Sequence, residues 1–448
     1  MRLYHSSAFD FSKHVDSYWQ ASAPPLGLDL APLEGRRTAD VAIIGSGFVG
    51  LHAAHRLTSA HGLSTAVLDA ADVGWGASGR NGGFCCAGSS KLSFDEMAAR
   101  YGQTAATAFQ RAQVASVAHV GAFLDEHEIE ADRSGEGEYQ LAHRERVLPE
   151  LRTEQQVLGE AYNVRMHVLD REDLRRHGMH SPAFHGGLFS PVGFGLHPLK
   201  YVRGLARAAA KAGVTIYPRS AVTAWRSERG QHVLATDRGE VQARSVLLAT
   251  NGYTDERLPP WIGGRLLPAL SRIIVTRPLT DAEIAAQGWS SHNMAYDTRR
   301  LVHYFRLLPD KRFLFGGRGG TDASPEGLAA ITRTLRRQFD EMFPAWAKVE
   351  TEFTWGGFVC LTASLVPYIG PIDGMETAFA AVAWHGNGVA MGSYAGRLVA
   401  DRIAGGTDAQ NEIPVVMRGP LRKFPMPQLR VPYLKGAYAL YGFTDERP

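Results

Sequence analysis

Gly45, Gly47 and Gly50 stand in the order Gly-x-Gly-x-x-Gly directly behind the apolar run Asp40-Val41-Ala42-Ile43-Ile44. That spacing suits phosphate binding. The first glycine permits a tight turn, the second lets the backbone approach a pyrophosphate, and the third lets a helix pack closely on the strand. Phe48 lies within the turn, and the helix that follows offers free N–H groups to anionic oxygens. Asp69, followed by Ala70, ends the next apolar run, Thr65-Ala66-Val67-Leu68. A carboxylate there can accept ribose hydroxyls. The three parts predict a strand–helix–strand unit of about thirty residues that binds a dinucleotide.

A second glycine-rich stretch, Gly74-Trp75-Gly76-Ala77-Ser78-Gly79-Arg80-Asn81-Gly82-Gly83, follows almost at once. A nicotinamide enzyme has no evident need of it, whereas a larger cofactor could be wrapped by such a loop. Further along, Tyr304 and Arg306 share one face of an expected strand, with His303 on the other. An arginine so placed could grip a substrate carboxylate in fork geometry, with the tyrosine hydroxyl assisting. Trp355 and His385 read equally well as pocket walls or as packing.

The elements that must hold these residues are mixed. Residues 1–38 are irregular, broken by Pro24, Pro25 and Pro32. Residues 93–180 read mainly as helix, and 214–250 as short strands separated by Gly, Asp and charged turns. Strands are expected at Arg272–Arg277 and at Leu301–Leu307 continuing into Arg312–Gly317. A helix is expected over Pro325–Met342. A last strand pair, Thr354–Leu361 and Phe379–Trp384, leads to a closing helix at Val389–Ile403. With 448 residues the chain is long enough for two domains.

Composition narrows the function. A net charge of +3, from 48 basic and 45 acidic residues without charged blocks, does not favour nucleic acid or an anionic membrane. No run reaches the length of a membrane span and the N-terminus lacks a secretory pattern, so a cytoplasmic protein is expected. Three cysteines, Cys85, Cys86 and Cys360, argue against a disulfide framework. The adjacent pair reads as small buried residues or as a redox centre. No metal site is expected.

Taken in chain order, Ser17-Tyr18-Trp19, Gly74–Gly83, Ala249-Thr250-Asn251-Gly252, Tyr304-Phe305-Arg306, Phe315-Gly316-Gly317, Trp355-Gly356-Gly357, Pro367-Tyr368-Ile369-Gly370 and His385-Gly386-Asn387-Gly388-Val389 resemble the D-amino acid oxidase and glycine/sarcosine oxidase superfamily of FAD enzymes. Within it the chain looks like the bacterial gamma-glutamylputrescine oxidase type. The resemblance implies an α/β protein (α+β overall) in which a Rossmann-like FAD-binding domain is interleaved with a substrate domain of β-sheet plus helices. It places the FAD domain at 39–92, 190–262 and 350–410, the substrate domain at 93–189 and 263–349, an extension at 1–38 and a tail at 411–448.

By the same resemblance, Gly45, Gly47, Gly50 and Asp69 hold the ADP half of FAD. Ser78, Gly79, Arg80, Asn81 and Gly82 line the pyrophosphate and isoalloxazine, and Val222 meets adenine through its backbone. Thr250, Asn251 and Gly252 close the ribityl side. Gly386, Asn387, Gly388 and Val389 start a helix whose positive end faces the flavin pyrimidine oxygen. Tyr304, Arg306 and His385 form the catalytic set. The implied reaction is hydride transfer from an amine or amino acid to flavin N5, giving an imine that hydrolyses. The alternative is a dehydrogenase of cyclic or N-alkyl amino acids that feeds a quinone. An NAD-dependent oxidoreductase and a noncatalytic flavin-binding protein are the readings from other classes. Two departures matter. Leu314 stands where the sarcosine oxidase branch has a lysine that activates oxygen, which leaves oxygen or a quinone as acceptor. Cys360 is offset from that branch's flavin-attaching cysteine, so noncovalent FAD is expected. The protein is expected to act as a monomer or homodimer.

Overall fold

Val41, Ala42, Ile43 and Ile44 are all buried, as a parallel strand covered on both faces requires. Burial of each larger aliphatic side chain stabilises the fold by roughly 2 kcal/mol. In the computed structural model, which describes residues 3–228, 230–405 and 411–446, their strand Gly35–Ile44 sits inside an eight-stranded sheet. It pairs in parallel with Gly239–Leu248 on one side and Thr65–Leu68 on the other. Thr215–Tyr217 and Ala378–Val382 extend the parallel core. Tyr368–Pro371 adds an antiparallel edge, and the hairpin Ala224–Glu228/Gln231–Ala235 pairs antiparallel with Gly239–Leu248. The helix Phe48–His61 covers this sheet, packed between the helices Pro198–Lys211 and Ala390–Ile403.

The second sheet also has eight strands. Across it run Thr351–Thr362, Leu266–Thr276, Phe313–Arg318, His303–Leu307, Met294–Asp297, Glu138–Leu141, Gly186–Ser190 and His167–Asp170. One face packs a second core in which Phe305, Phe313, Phe315, Phe339, Phe343 and Trp346 stack on one another. The two sheets together give the α/β architecture expected, a Rossmann-like layer joined to a β-sheet with helices.

One strand pairing differs from expectation. Thr351–Thr362 does not pair with Ala378–Val382; it runs antiparallel along Leu266–Thr276 in the second sheet. The nearer partner wins, because Tyr368–Pro371 reaches Ala378–Val382 through a short turn. Beyond residue 411 the helix Arg430–Glu446 forms, with Leu434 set against Leu267 and Ala269. Sequence periodicity there is poor, and Pro432 sits in its first turn, where a missing N–H costs nothing. Among the described residues, no helix is long and apolar enough to cross a membrane.

Candidate cofactor and substrate site

The two glycine stretches fold into the same turn. Gly45 and Gly74 open them at φ +109° and +84°, a region that favours glycine. Gly47 and Gly76 cap the helices that follow. A Cβ on Gly50 would lie 1.9 Å from the Gly45 carbonyl oxygen, and one on Gly79 would lie 1.9 Å from that of Gly74. Gly74-x-Gly76-x-x-Gly79 thus repeats the spacing of Gly45-x-Gly47-x-x-Gly50. That signal was in the sequence, but the second stretch read only as a glycine-rich loop. The turns also face each other: the Phe48 N–H donates to Ser78 Oγ at 3.0 Å, and a Cβ on Gly47 would meet that oxygen at 2.8 Å.

Between and beyond the turns lies a cavity of about 910 Å³. Of the expected cofactor residues, Gly45, Gly47, Phe48, Asp69, Ala70, Ser78, Arg80, Asn81, Gly82, Val222, Thr250, Asn251 and Gly386 to Val389 line it. Gly50, Gly79 and Gly252 do not; they stand behind the wall and let it close up. Asp69 Oδ2 accepts from the Ser46 N–H and hydroxyl, both at 2.7 Å, and Oδ1 accepts from the Ala71 N–H at 2.9 Å. Three acceptor positions are therefore taken, and one of about four remains open to the cavity. Asn81 is a brace: its amide donates to the Ala77 and Ser78 carbonyls and accepts from Gly83 N–H. Trp19 and Trp355 donate to the Asn81 and Arg80 carbonyls, each at 2.8 Å. Buried Trp355 therefore positions the loop and does not line the cavity.

At the second sheet the structure corrects the arginine. Tyr304 lines the cavity, its hydroxyl 2.9 Å from Ser271 Oγ. Arg306 does not. Its guanidinium is buried and donates to the Gly82 carbonyl at 3.2 Å, the Leu196 carbonyl at 2.5 Å and Ser134 Oγ at 3.3 Å. Burial pushes its pKa down to about 10. Buried behind the cavity wall, the guanidinium does not reach the space where a substrate carboxylate would lie. Same-face alternation was right, but Arg306 lies deeper, in a slot opened by Gly83 and Gly195. His303 is structural, as read: its Nδ1 lies 2.8 Å from Asp297 Oδ2.

Five cations that sequence reasoning missed line the cavity instead; Arg257 and Arg299 are paired with Asp255 and Asp297, Arg300 is exposed, and Arg318 and Lys91 stand near His385. Arg318, the last residue of its strand, donates to the His385 carbonyl at 3.1 Å. Lys91 projects from the loop after Cys86. Among the described residues neither has a carboxylate partner. Partial desolvation at the cavity wall lowers both pKa values, and for Lys91, whose side chain keeps solvent contact, the Arg318 charge adds to the effect. His385 is fully buried beside them, at φ +51°. Burial first, then Lys91 and Arg318, drives its pKa down to about 3, so it is neutral at physiological pH. Its Nδ1 has no hydrogen-bond partner. Together with Ala383 at φ +68° and Gly386 at φ +115°, this is a strained turn of the kind that clusters at functional sites.

Residues 40–402 match the family described as FAD dependent oxidoreductase, DAO. The chain belongs to this family. It is 30% identical over 436 residues to "Probable oxidoreductase OrdL" of Haemophilus influenzae, covering 95% of this chain and 98% of that protein. It is 28% identical over 441 residues to gamma-glutamylputrescine oxidoreductase of Escherichia coli, covering 97% and 99%. Its fold is similar to that of glycine oxidase from Geobacillus kaustophilus, with a TM-score of 0.68 at 21% identity over 82% of this chain and 95% of that one.

The site fits the cofactor of the DAO family. The paired turns leave a cradle that a single Cβ would fill, and Asp69 keeps an acceptor free. An orphaned imidazole nitrogen stands at the far end. The three cysteines are free and buried. Burial raises each thiol above its usual range, away from the reactive thiolate. Cys360 nonetheless lines the cavity.

Proposed function

We propose that this FAD-dependent oxidoreductase oxidises the CH–NH bond of an amine that also carries a carboxylate. The observation that carries this reading is the pair Arg318 and Lys91, two cations without counter-ions in the cavity that Tyr304 and His385 also line. Arg318 is half-buried and Lys91 exposed, and positive charges with no carboxylate beside them draw an anionic group into the cavity. The free N–H groups of Arg318 suit a carboxylate held by two parallel bonds. The Tyr304 hydroxyl, oriented by Ser271, can hold the substrate amine. His385 stays neutral and adds no third positive charge against it. Asp297, a carboxylate lining the same region, is engaged by His303 and Arg299 and is not free to act as a base. The amine is therefore taken as the neutral species, and the side chains orient it and exclude water. Bound FAD supplies the acceptor for the two electrons and hydrogen that leave the carbon.

The experiment is anaerobic mixing of the yellow protein with carboxylated amines and with matched 2-hydroxy acids. Bleaching of the flavin band by the amines and not by the hydroxy acids is expected. Bleaching by hydroxy acids alone would overturn the proposal. On readmission of air, stoichiometric peroxide identifies oxygen as the acceptor; without it, reoxidation of the reduced flavin by an added quinone tests the alternative.

A further inference from the structure

Beside the main cavity lies a second one of about 590 Å³. The two meet at Gly88, Glu138, Gln140 and Tyr296, which line both. Every charged residue of the second cavity is acidic: Asp95, Glu138, Glu150 and Glu154. Asp95 and Glu150 are exposed at its rim, Glu154 is half-buried, and Glu138 is only 8% exposed at the junction. The charge thus leads inward from solvent, an arrangement that draws cations.

Glu138 is the decisive group. Among the described residues no lysine, arginine or histidine pairs with it, and no N–H or O–H reaches its carboxylate. Its one donor is the weak thiol of Cys86. Burial pushes its pKa up to about 8, with Glu154 adding to the effect, so the annex alone holds it largely protonated and an ammonium bound beside it draws the proton off and restores the charge. Two tyrosines, Tyr162 and Tyr296, are set close enough to Glu138 and Glu154 to feel both charges. Neither tyrosine hydroxyl has a hydrogen-bond partner among the described residues. Carboxylates flanked by aromatic faces recognise ammonium groups by charge and by cation–π attraction. Among the described residues no group of three or more His, Cys, Asp or Glu is arranged to hold a metal ion, so the chemistry suits an organic cation.

We propose that this annex is a subsite for a second ammonium group on the substrate, with Glu138 and Glu154 as its counter-ions and Tyr162 and Tyr296 as its walls. The inference rests on the amine-oxidising reading of the main cavity. It adds that the preferred substrates carry a further cationic end. A carboxylate at Arg318 and an ammonium at Glu138 then hold the molecule at two points and leave the bond to be oxidised in the main cavity, beside Tyr304.

The test is isothermal titration of the FAD-loaded protein with cadaverine and with hexylamine, in which a methyl group replaces one ammonium. Cadaverine is expected to bind at least about tenfold more tightly. In Glu138→Gln and in Glu154→Gln, both near-isosteric, that preference is expected to fall to about twofold or less. Equal affinities in the native protein, no measurable cadaverine binding, or a preference that survives both substitutions would each overturn the proposal. The readout is equilibrium binding alone. A failure of the amine chemistry itself would show instead as a flavin that no amine bleaches.

Discussion

Gly50→Ala is expected to strip the protein of FAD. The new methyl carbon would sit 1.9 Å from the Gly45 carbonyl oxygen and 3.1 Å from Ile43 Cγ2. Neither neighbour is the free end of a flexible side chain. The helix Phe48–His61 must therefore move outward by more than 1 Å from the strand Gly35–Ile44 to restore ordinary contact, roughly 3.3 Å or more between such atoms. That shift pulls the first turn away from Ser78 and opens the cradle between the two glycine turns. The fold itself loses about 2 kcal/mol, the usual cost of overpacking, so the variant still folds. Flavin content per chain, read from the visible spectrum of the purified variant, is expected to fall at least about tenfold, which corresponds to about 1.4 kcal/mol of binding. Full flavin occupancy would show that the turn does not hold the cofactor.

The second large effect separates two arginines that look equivalent in sequence. Arg318→Met removes the cation from the cavity and leaves only the His385 carbonyl without its donor. It is expected to raise KM for a carboxylated amine about a hundredfold, roughly 3 kcal/mol for a lost charge-assisted pair, with little change in thermal stability. Arg306→Met acts in the opposite way. It strands the carbonyls of Gly82 and Leu196 and the Ser134 hydroxyl in a buried slot. The expected cost is roughly 3 kcal/mol of stability, seen as a lower Tm, while KM in the protein that remains folded changes little. Steady-state kinetics and a thermal melt on each variant decide the matter. The reverse assignment of effects would return the carboxylate clamp to Arg306.

The contrast shows what the sequence can carry. The first glycine turn, the strand Thr65–Leu68 and the helix Pro325–Met342 were legible because their signals are local: spacing, apolar continuity and a Ser-Pro helix start. The face shared by Tyr304 and Arg306 was legible too, since strand alternation is fixed by geometry. Depth along that face was not. Tyr304 lies opposite Gly316, which gives its ring room at the cavity, whereas Arg306 lies opposite Leu314 and turns toward Gly83 and Gly195. Those two glycines come from distant segments, and no spacing rule joins them. Lys91 escaped for the same reason, standing in a loop without a motif. Arg318 could have been found: it follows Leu314 and Gly316 at even spacing on their strand, and it is that strand's last residue. Glu138 and Glu154 were invisible because only folding brings a strand and a helix together around Tyr296.

The paired glycine turns are expected to hold one FAD without a covalent bond. Acid precipitation of the purified protein, followed by chromatography of the supernatant, tests it most directly. A yellow supernatant with one FAD per chain and a colourless pellet is expected. A yellow pellet would contradict it by showing attachment, with Cys360 as the first residue to inspect, and a supernatant holding a nicotinamide nucleotide or no flavin at all would remove its foundation.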